Sequence, residues 1–405
     1  MSQNSQTEKP AKDARTTDSF NAQACTNREY VQYFTDLRAD SFNAKEFRDA
    51  WNALADKDLS LGMMVRMLDG TAKLFRHMSN LGRKSELKDF LDDNMQIWID
   101  HAEGKTFEKL TPNALASAAW ALSTINVWPG REFMGKWALA AGRFACPESH
   151  KSFDAYQTSQ IIHALCLFDA QYEQFDMTDT IDYMLNMLEE FRGLKDAQRQ
   201  IYQDACNWIG RDAILDPAKG NQTVSRSEEK IADLLRLAGA DLAKGKYITS
   251  SDLSHIVDIP LLWKGRPVLV EYDGPSHFNR APNHRKGEDL TRFNSSTAFQ
   301  TRLLRTLHPD VHILRFRYTE FKEIQSLPAS EQLKTIRSMM DGLVQGNDPD
   351  CYVSDKIDGN FTTRPLKTRP KRVVAGPDTV AANSNAMQTS DSQDGPLFNP
   401  VAGLG

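Results

Sequence analysis

The chain contains 405 residues, of which 40% are hydrophobic, and its formal net charge is −5 at pH 7. This length and apolar content suffice for two or three domains with buried cores. The negative charge argues against a protein that coats nucleic acid without selectivity, because that mode of binding needs many Lys and Arg side chains to displace counterions. Any contact with nucleic acid must therefore be local.

No apolar run approaches the ~20 residues that span a bilayer, and the polar start Met1–Gln6 lacks the pattern of a secretory signal peptide. The five cysteines are widely spaced and odd in number, which supports neither a disulfide framework nor a Cys-x-x-Cys metal site. We therefore expect a soluble protein of a reducing compartment, the cytoplasm or an organelle matrix. The Ser/Gln/Asn-rich start is also compatible with a bacterial effector secreted into a host, although a flexible tail is the simpler interpretation.

Residues 1–26 are polar and predict a disordered tail. From 27 to 212, apolar residues recur with a helical period and predict an all-α region. Two segments within it, Leu110–Ile125 and Phe153–Phe168, align without gaps at an offset of 43 positions, and Leu59–Leu74 is a weaker relative. This offset is typical of helix pairs that stack into a solenoid. We therefore predict an α-helical repeat domain, with its Met and Trp residues in the core.

A linker is predicted over 213–224, and a different periodicity begins at Ser225, a candidate helix cap together with Ser227. The predicted order over 225–326 is helix, three strands, helix and strand. A helical extension over 327–354 and a second disordered tail over 355–405 follow. The elements within 225–326 are a helix from Ser225, a strand near Tyr247–Thr249, a hairpin of Asp258–Trp263 and Val268–Tyr272 around Lys264–Pro267, a helix over Thr297–Leu307 and a strand over His312–Tyr318.

The second strand of the hairpin carries two carboxylates. Because side chains alternate along a strand, Leu269, Glu271 and Asp273 share one face, while Val268 lies on the opposite face. Both carboxylates are therefore expected to point the same way.

The run Glu271–Phe278, EYDGPSHF, resembles the RAP domain, an RNA-binding module, and the resemblance extends over roughly Ser225–Ile324. Thr301–Leu304 matches the basic helix of that family, and His312–Phe321 matches its closing strand and aromatic turn. The Ala-Ala-Trp-Ala-Leu core of the repeats resembles octotricopeptide-type repeats, which commonly precede a RAP domain. Together these resemblances imply an RNA-binding protein whose repeats select single-stranded RNA and whose RAP-like domain engages or processes it.

The RAP-like part in turn resembles the PD-(D/E)xK fold, in its very-short-patch repair endonuclease branch. The resemblance implies a possible Mg²⁺-dependent endoribonuclease or endonuclease, with Asp258 and Glu271 as metal ligands. Asp273 stands where that motif has its lysine, and His277 could transfer protons in its place. The catalytic candidates are thus Asp258, Glu271, Asp273 and His277, and Mg²⁺ is expected only if the protein is a nuclease.

Two alternatives stay open at this point. Asp273-Gly-Pro is also good turn chemistry, so the acidic site could be a scaffold in a domain that only binds RNA. The helical repeats could instead hold a protein partner. The candidates for contact with nucleic acid are Lys264, Arg266, Arg285, Lys286, Gln300, Arg302 and Arg305.

Overall fold

The computed structural model describes residues 20–80, 85–145, 152–171, 176–216, 225–242, 257–274, 277, 295–345, 351–357 and 359–366. The first part of the chain is helical, as its periodicity predicts. No described helix is long and apolar enough to cross a membrane. The helices of this part are α1 (Asn27–Asp36), α2 (Ala44–Asn52), α3 (Leu61–Asn80), α4 (Ser85–Glu103), α5 (Pro112–Ile125), α6 (Arg131–Gly142), α7 (Ala155–Gln171), α8 (Thr178–Glu189) and α9 (Asp196–Ile209).

The helices form two layers. Helix α1 packs on α3, α3 on α5, α5 on α7 and α7 on α9, while α2, α4 and α6 contact one another in turn. Local signals set the helix ends: Thr111 caps α5 ahead of Pro112, and Asn126 closes it at φ 67°. Gly70 permits the closest approach, because a Cβ there would lie 2.5 Å from the backbone oxygen of Phe34. A single apolar core runs between the layers.

The C-terminal part combines helices with a sheet. In the described residues its five strands have the order β1-β2-β3-β4-β5, with β2, β3 and β4 parallel and both outer pairs antiparallel. Parallel neighbours require crossover connections, which α11 to α13 provide. The elements are α10 (Arg226–Ala238), β1 (Ile259–Trp263), β2 (Arg266–Asp273), α11 (Ser295–Leu307), β3 (His312–Arg317), α12 (Tyr318–Gln325), α13 (Ala329–Gln345), β4 (Cys351–Ile357) and β5 (Asn360–Pro365).

The predicted hairpin and the helix after it are present. Lys264 and Gly265 both have positive φ, as a tight two-residue hairpin turn requires. Ser225 caps α10 in a capping box with Glu228. Asp241 bridges Leu262 in antiparallel fashion, but the strand predicted near Tyr247 lies outside the described residues.

Helix α11 belongs to both parts of the molecule. Phe299 and Leu303 join the core of the helical domain. Leu304, on the other face, packs with Leu269 and Ile313 of the sheet. The opposite face of the sheet is covered by α10, α12 and α13. The acidic side of the sheet therefore faces the helix that joins the two domains.

Two predicted boundaries are wrong at the N-terminal and C-terminal ends. Residues 20–26, assigned to the first tail, pack on the helical domain: Phe20 stacks on Tyr33 at 4.1 Å, and Thr26 caps α1. Residues 351–354, assigned to a helical extension, begin β4. Residues 355–357 and 360–365, assigned to the second tail, complete β4 and form β5. Residues 1–19 and 367–405 lie outside the described residues.

Candidate functional site

The three predicted acids meet at one end of the hairpin. The Asp258 backbone N–H donates to Glu271 Oε1 at 3.3 Å, and the Tyr272 N–H donates to Asp258 Oδ2 at 2.9 Å. Glu271 and Asp273 share a face with Leu269, as the alternation predicts, and both are buried. Burial raises the pKa of Asp258, and the nearby Glu228 carboxylate raises it further. Asp258 and Glu271 thus each accept a backbone hydrogen bond that holds the two strands together.

Asp273 is bound by an arginine of the neighbouring strand. The parallel register places Arg315 opposite Glu271, and its guanidinium donates from Nε to Asp273 Oδ2 at 2.8 Å and from Nη2 to Oδ1. Neither side chain is exposed. Burial alone would raise the pKa of Asp273, but Arg315 and His277 outweigh it and hold that pKa below its usual value. Burial likewise opposes the charge of Arg315, yet Asp273 and Glu271 keep its pKa raised.

His277 lies at the edge of this pair. Its Nδ1 is 3.0 Å from Asp273 Oδ1, and a third of its side chain is exposed. Both Asp273 oxygens therefore have positively charged or hydrogen-bonding neighbours. The arrangement is a buried ion pair, Arg315–Asp273, with the partly exposed His277 at its edge, beside the Asp258–Glu271 strand contact.

These residues do not fit a resident Mg²⁺. The ion needs several oxygen ligands in near-octahedral geometry, whereas Asp273 gives both of its oxygens to Arg315. Asp258 and Glu271 each accept a backbone N–H across the β1–β2 pair. Within the described ranges, no group of three or more His, Cys, Asp or Glu side chains could hold a metal ion. We therefore derive no step through a metal.

Two of the residues predicted to contact nucleic acid, Lys264 and Arg266, lie away from the acidic site. Lys264 forms an ion pair with Asp341 at 2.6 Å, and Arg266 donates to the carbonyl of Val344, so the hairpin turn is tied to α13. Both lie at the far end of β2 from Asp273, roughly 20 Å away at ~3.3 Å per residue. Their placement serves the packing of the sheet.

The predicted residues on α11 have another role. Arg302 donates to the carbonyl of Ala170 in α7, and its guanidinium lies 4.8 Å from the ring centroid of Trp208 in α9. Arg305 donates to the carbonyl of Pro309 at 2.8 Å. Arg302 therefore joins the two domains. Gln300 is half-buried on the same helix, while Arg285 and Lys286 lie outside the described residues.

A groove on the helical domain was not identified from the sequence. Two adjoining cavities of about 780 and 470 Å³ share Arg76, Trp120, Tyr156 and Gln160. Their walls come from α3, α5, α7 and α9, and Ser296, in the first turn of α11, also lines the larger cavity. We call this surface the helical groove.

The groove-lining residues of α5 and α7 occupy equivalent positions in the two aligned segments. Tyr156, Gln160 and His163 of α7 stand 43 positions after three residues of α5, the same offset that relates the two aligned segments. A third set on α3 lies 44 positions before that of α5. In order along the groove, the three sets are Asp69, Lys73 and Arg76; Asn113, Ser117 and Trp120; and Tyr156, Gln160 and His163.

Trp120 was assigned to the core, and the structure places it at the edge of the core, packed against it. Its side chain is only half-buried and lines the groove. Among the described residues its indole N–H has no hydrogen-bond acceptor, which distinguishes it from the tryptophans that serve the fold. The tryptophans whose Nε1 donates to an acceptor in the protein are Trp51, Trp98, Trp137, Trp208 and Trp263.

Other groove side chains also have polar atoms without a partner among the described residues. Arg76 is exposed and makes no hydrogen bond or ion pair within the described part of the chain. The buried Oε1 of Gln160 has no partner there. Lys73 is the exception, since it pairs with Asp69 at 2.6 Å. Burial lowers the pKa of His163, and the proximity of Arg76 lowers it further.

Comparison with protein-family models finds none that matches this chain, and a search among curated proteins finds no significant match.

Proposed function

We propose that this protein binds single-stranded RNA in the helical groove. One observation carries the proposal: side chains of three successively packed helices, at positions 43 or 44 apart, line two adjoining cavities, and among the described residues the indole N–H of Trp120 and the Oε1 of Gln160 have no protein partner. Buried polar groups in folded proteins are nearly always paired. Of the described groove side chains, Gln160 has a buried atom without a partner, its Oε1, and a ligand with polar groups would supply one.

The chemistry of the groove suits unpaired bases. Trp120 and Tyr156 present aromatic faces, and Tyr156 is 60% exposed. Bases stack on such faces without strict sequence preference, and Arg76 supplies a cation for the phosphate backbone. Asn113, Ser117 and Gln160 add donors and acceptors at the spacing of successive helices. In duplex RNA the faces of the bases are stacked on neighbouring base pairs and are not available to aromatic side chains. We therefore expect the groove to bind single-stranded RNA.

The C-terminal domain is proposed to engage the same RNA as a RAP-like domain. Support comes from the resemblance of Glu271–Phe278 to that family and from a helix–hairpin–helix–strand order that is compatible with a PD-(D/E)xK-like core. Ser296 of α11 also lines the groove. RNA bound there would therefore lie beside the helix that packs on the C-terminal sheet. We do not favour metal-dependent cleavage, because the carboxylates are already bound by protein groups.

The test is fluorescence anisotropy of the full chain with a random-sequence single-stranded RNA pool, in EDTA and in Mg²⁺. Trp120→Ala should weaken binding about tenfold or more, since loss of base stacking costs ~1–3 kcal/mol. Arg76→Ala should weaken it less and reduce the salt slope by about 0.7, the value for one phosphate contact on a single strand.

Matched controls lie outside the groove. Leu139→Ala removes an apolar side chain that is 71% exposed on α6, and Lys45→Ala removes an exposed charge on α2. Both should bind RNA like the parent. If Trp120→Ala keeps its fold and also binds like the parent, the groove is not the RNA site. If the parent binds no RNA at moderate salt, a protein partner becomes the better hypothesis for the groove.

A further inference from the structure

Arg315 lies at the centre of the acidic face of the sheet. Its backbone is in register with Glu271, its side chain binds Asp273 through two nitrogens, and no part of it is exposed. The described residues thus place one permanent positive charge among the carboxylates at the end of the hairpin. In a metal-dependent site of this architecture, that compensating charge would come from the ion.

We infer that Arg315 is the resident cation of this site and that the carboxylates of Asp258, Glu271 and Asp273 are held without a divalent metal. The guanidinium binds both oxygens of Asp273, so those oxygens are not available as metal ligands. The buried guanidinium would also repel a second cation placed beside Glu271, because charge interactions are strong where water is excluded.

The geometry of the other two acids agrees with this inference. Asp258 and Glu271 each accept a backbone N–H across the β1–β2 pair, contacts that hold strands in place in the absence of any ion. Removal of an ion would leave these carboxylates to repel each other, whereas the covalently attached Arg315 cannot dissociate. The acidic face is therefore a fixed part of the fold, independent of the RNA binding proposed for the groove.

The decisive experiment uses Mn²⁺ alone as the probe. The full chain is titrated with Mn²⁺ and free ion is measured from its electron paramagnetic resonance signal, for the parent and for Glu271→Gln. We expect the two titrations to coincide, with no stoichiometric site of submillimolar affinity. A parent site of that affinity that is lost in Glu271→Gln would overturn the inference.

Thermal unfolding gives a second measurement on the unmodified protein. Because a ligand that binds only the folded state raises its stability by mass action, a resident metal site would raise the midpoint by several degrees between EDTA and millimolar Mg²⁺ at matched ionic strength. We expect the two midpoints to agree within about one degree. A Mg²⁺-dependent rise that Asp258→Asn and Glu271→Gln both remove would contradict a resident arginine.

Removal of the arginine tests whether its charge keeps a metal out of the site. Arg315→Met leaves Asp273 without its cation, and we expect it to bind Mn²⁺ at least tenfold more tightly than the parent. If it fails to fold, the parent and Glu271→Gln titrations decide alone. A folded Arg315→Met with no gain in Mn²⁺ binding would show that the arginine does not take the place of a metal. RNA affinity, measured separately, neither supports nor contradicts these outcomes.

Discussion

The helical domain and the α/β domain treat their polar side chains in opposite ways. In the groove, Trp120 and Arg76 have accessible polar atoms that no other described residue binds. In the sheet, Arg315 and Asp273 are completely buried and bound to each other. Burying a charge costs free energy unless it is paired and hydrogen-bonded. The stability of the sheet therefore depends on the Arg315–Asp273 pair, whereas the exposed groove residues have no such requirement. The comparison teaches that the residues resembling a catalytic motif are hydrogen-bonded within the fold, while the accessible polar atoms lie on the helical domain.

The largest expected effect comes from breaking the buried pair. Arg315→Met should destabilise the α/β domain by about 3–5 kcal/mol, because it leaves Asp273 buried and uncompensated. The double variant Arg315→Met with Asp273→Leu should recover most of that loss. Urea unfolding followed by circular dichroism measures both. Lys45→Ala breaks an exposed pair with Asp49 and should cause no measurable change. An Arg315→Met chain as stable as the parent would remove the contrast between the two domains.

A second effect is acid sensitivity of the same pair. Since the folded-state pKa of Asp273 is lowered, its contribution to stability is complete above the unfolded pKa of an aspartate, near 3.9. That contribution is lost as the pH falls through the lower folded value. For one group the slope is at most about 1.4 kcal/mol per pH unit.

Urea midpoints measured from about pH 6 downwards check this. The parent should lose more stability on acidification than the double variant of Arg315 and Asp273, which lacks this titrating group. Equal slopes for the two proteins would mean that Asp273 does not contribute to the acid response, and that its carboxylate is solvated more than the structure indicates.

The sequence predicts the parts of this structure that depend on local pattern. Alternation along β2 placed Glu271 and Asp273 on one face, and the offset of 43 positions identified α5 and α7 as equivalent. It did not reveal the partner of Asp273, because Arg315 lies 42 residues away and meets it only through parallel pairing with β3. A charged residue inside the otherwise apolar run Ile313–Phe316 is the signal that could have indicated a buried partner.

Contacts between residues that are distant in sequence also explain the other differences between the predicted and the observed structure. Strands β4 and β5 were missed because their outer residues are polar and half-exposed, so no apolar alternation marks them. They are held by tertiary contacts instead: Arg317 donates to the carbonyl of Ser354 and to Asp355. Trp120 looked like core because its neighbours Ala118 and Ala119 are core. Only the packing of the neighbouring helices shows that the side chain of Trp120 lines a groove.

The smallest predicted effect concerns the joint between the two regions. Arg302→Ala removes the contact with Trp208 and a hydrogen bond to Ala170. We expect a loss of about 1–3 kcal/mol, from a cation–π contact of ~0.5–2 kcal/mol and a hydrogen bond of ~1 kcal/mol. Arg305→Ala, three residues along α11, removes a hydrogen bond to the nearby Pro309 and is the matched control, with a smaller expected loss.

Two measurements separate the joint from a phosphate-binding role. Thermal unfolding should show the loss for Arg302→Ala. Limited proteolysis should show faster cleavage between the domains, because α11 is the helix that belongs to both cores. RNA affinity at low salt should change little, since the guanidinium is already bound to protein groups. A different outcome is that Arg302→Ala is as stable as the parent but binds RNA more weakly and with a smaller salt dependence. In that case α11 contacts phosphate. The contrast between accessible polar side chains in the helical domain and protein-bound ones in the α/β domain would then not extend to the helix that joins them.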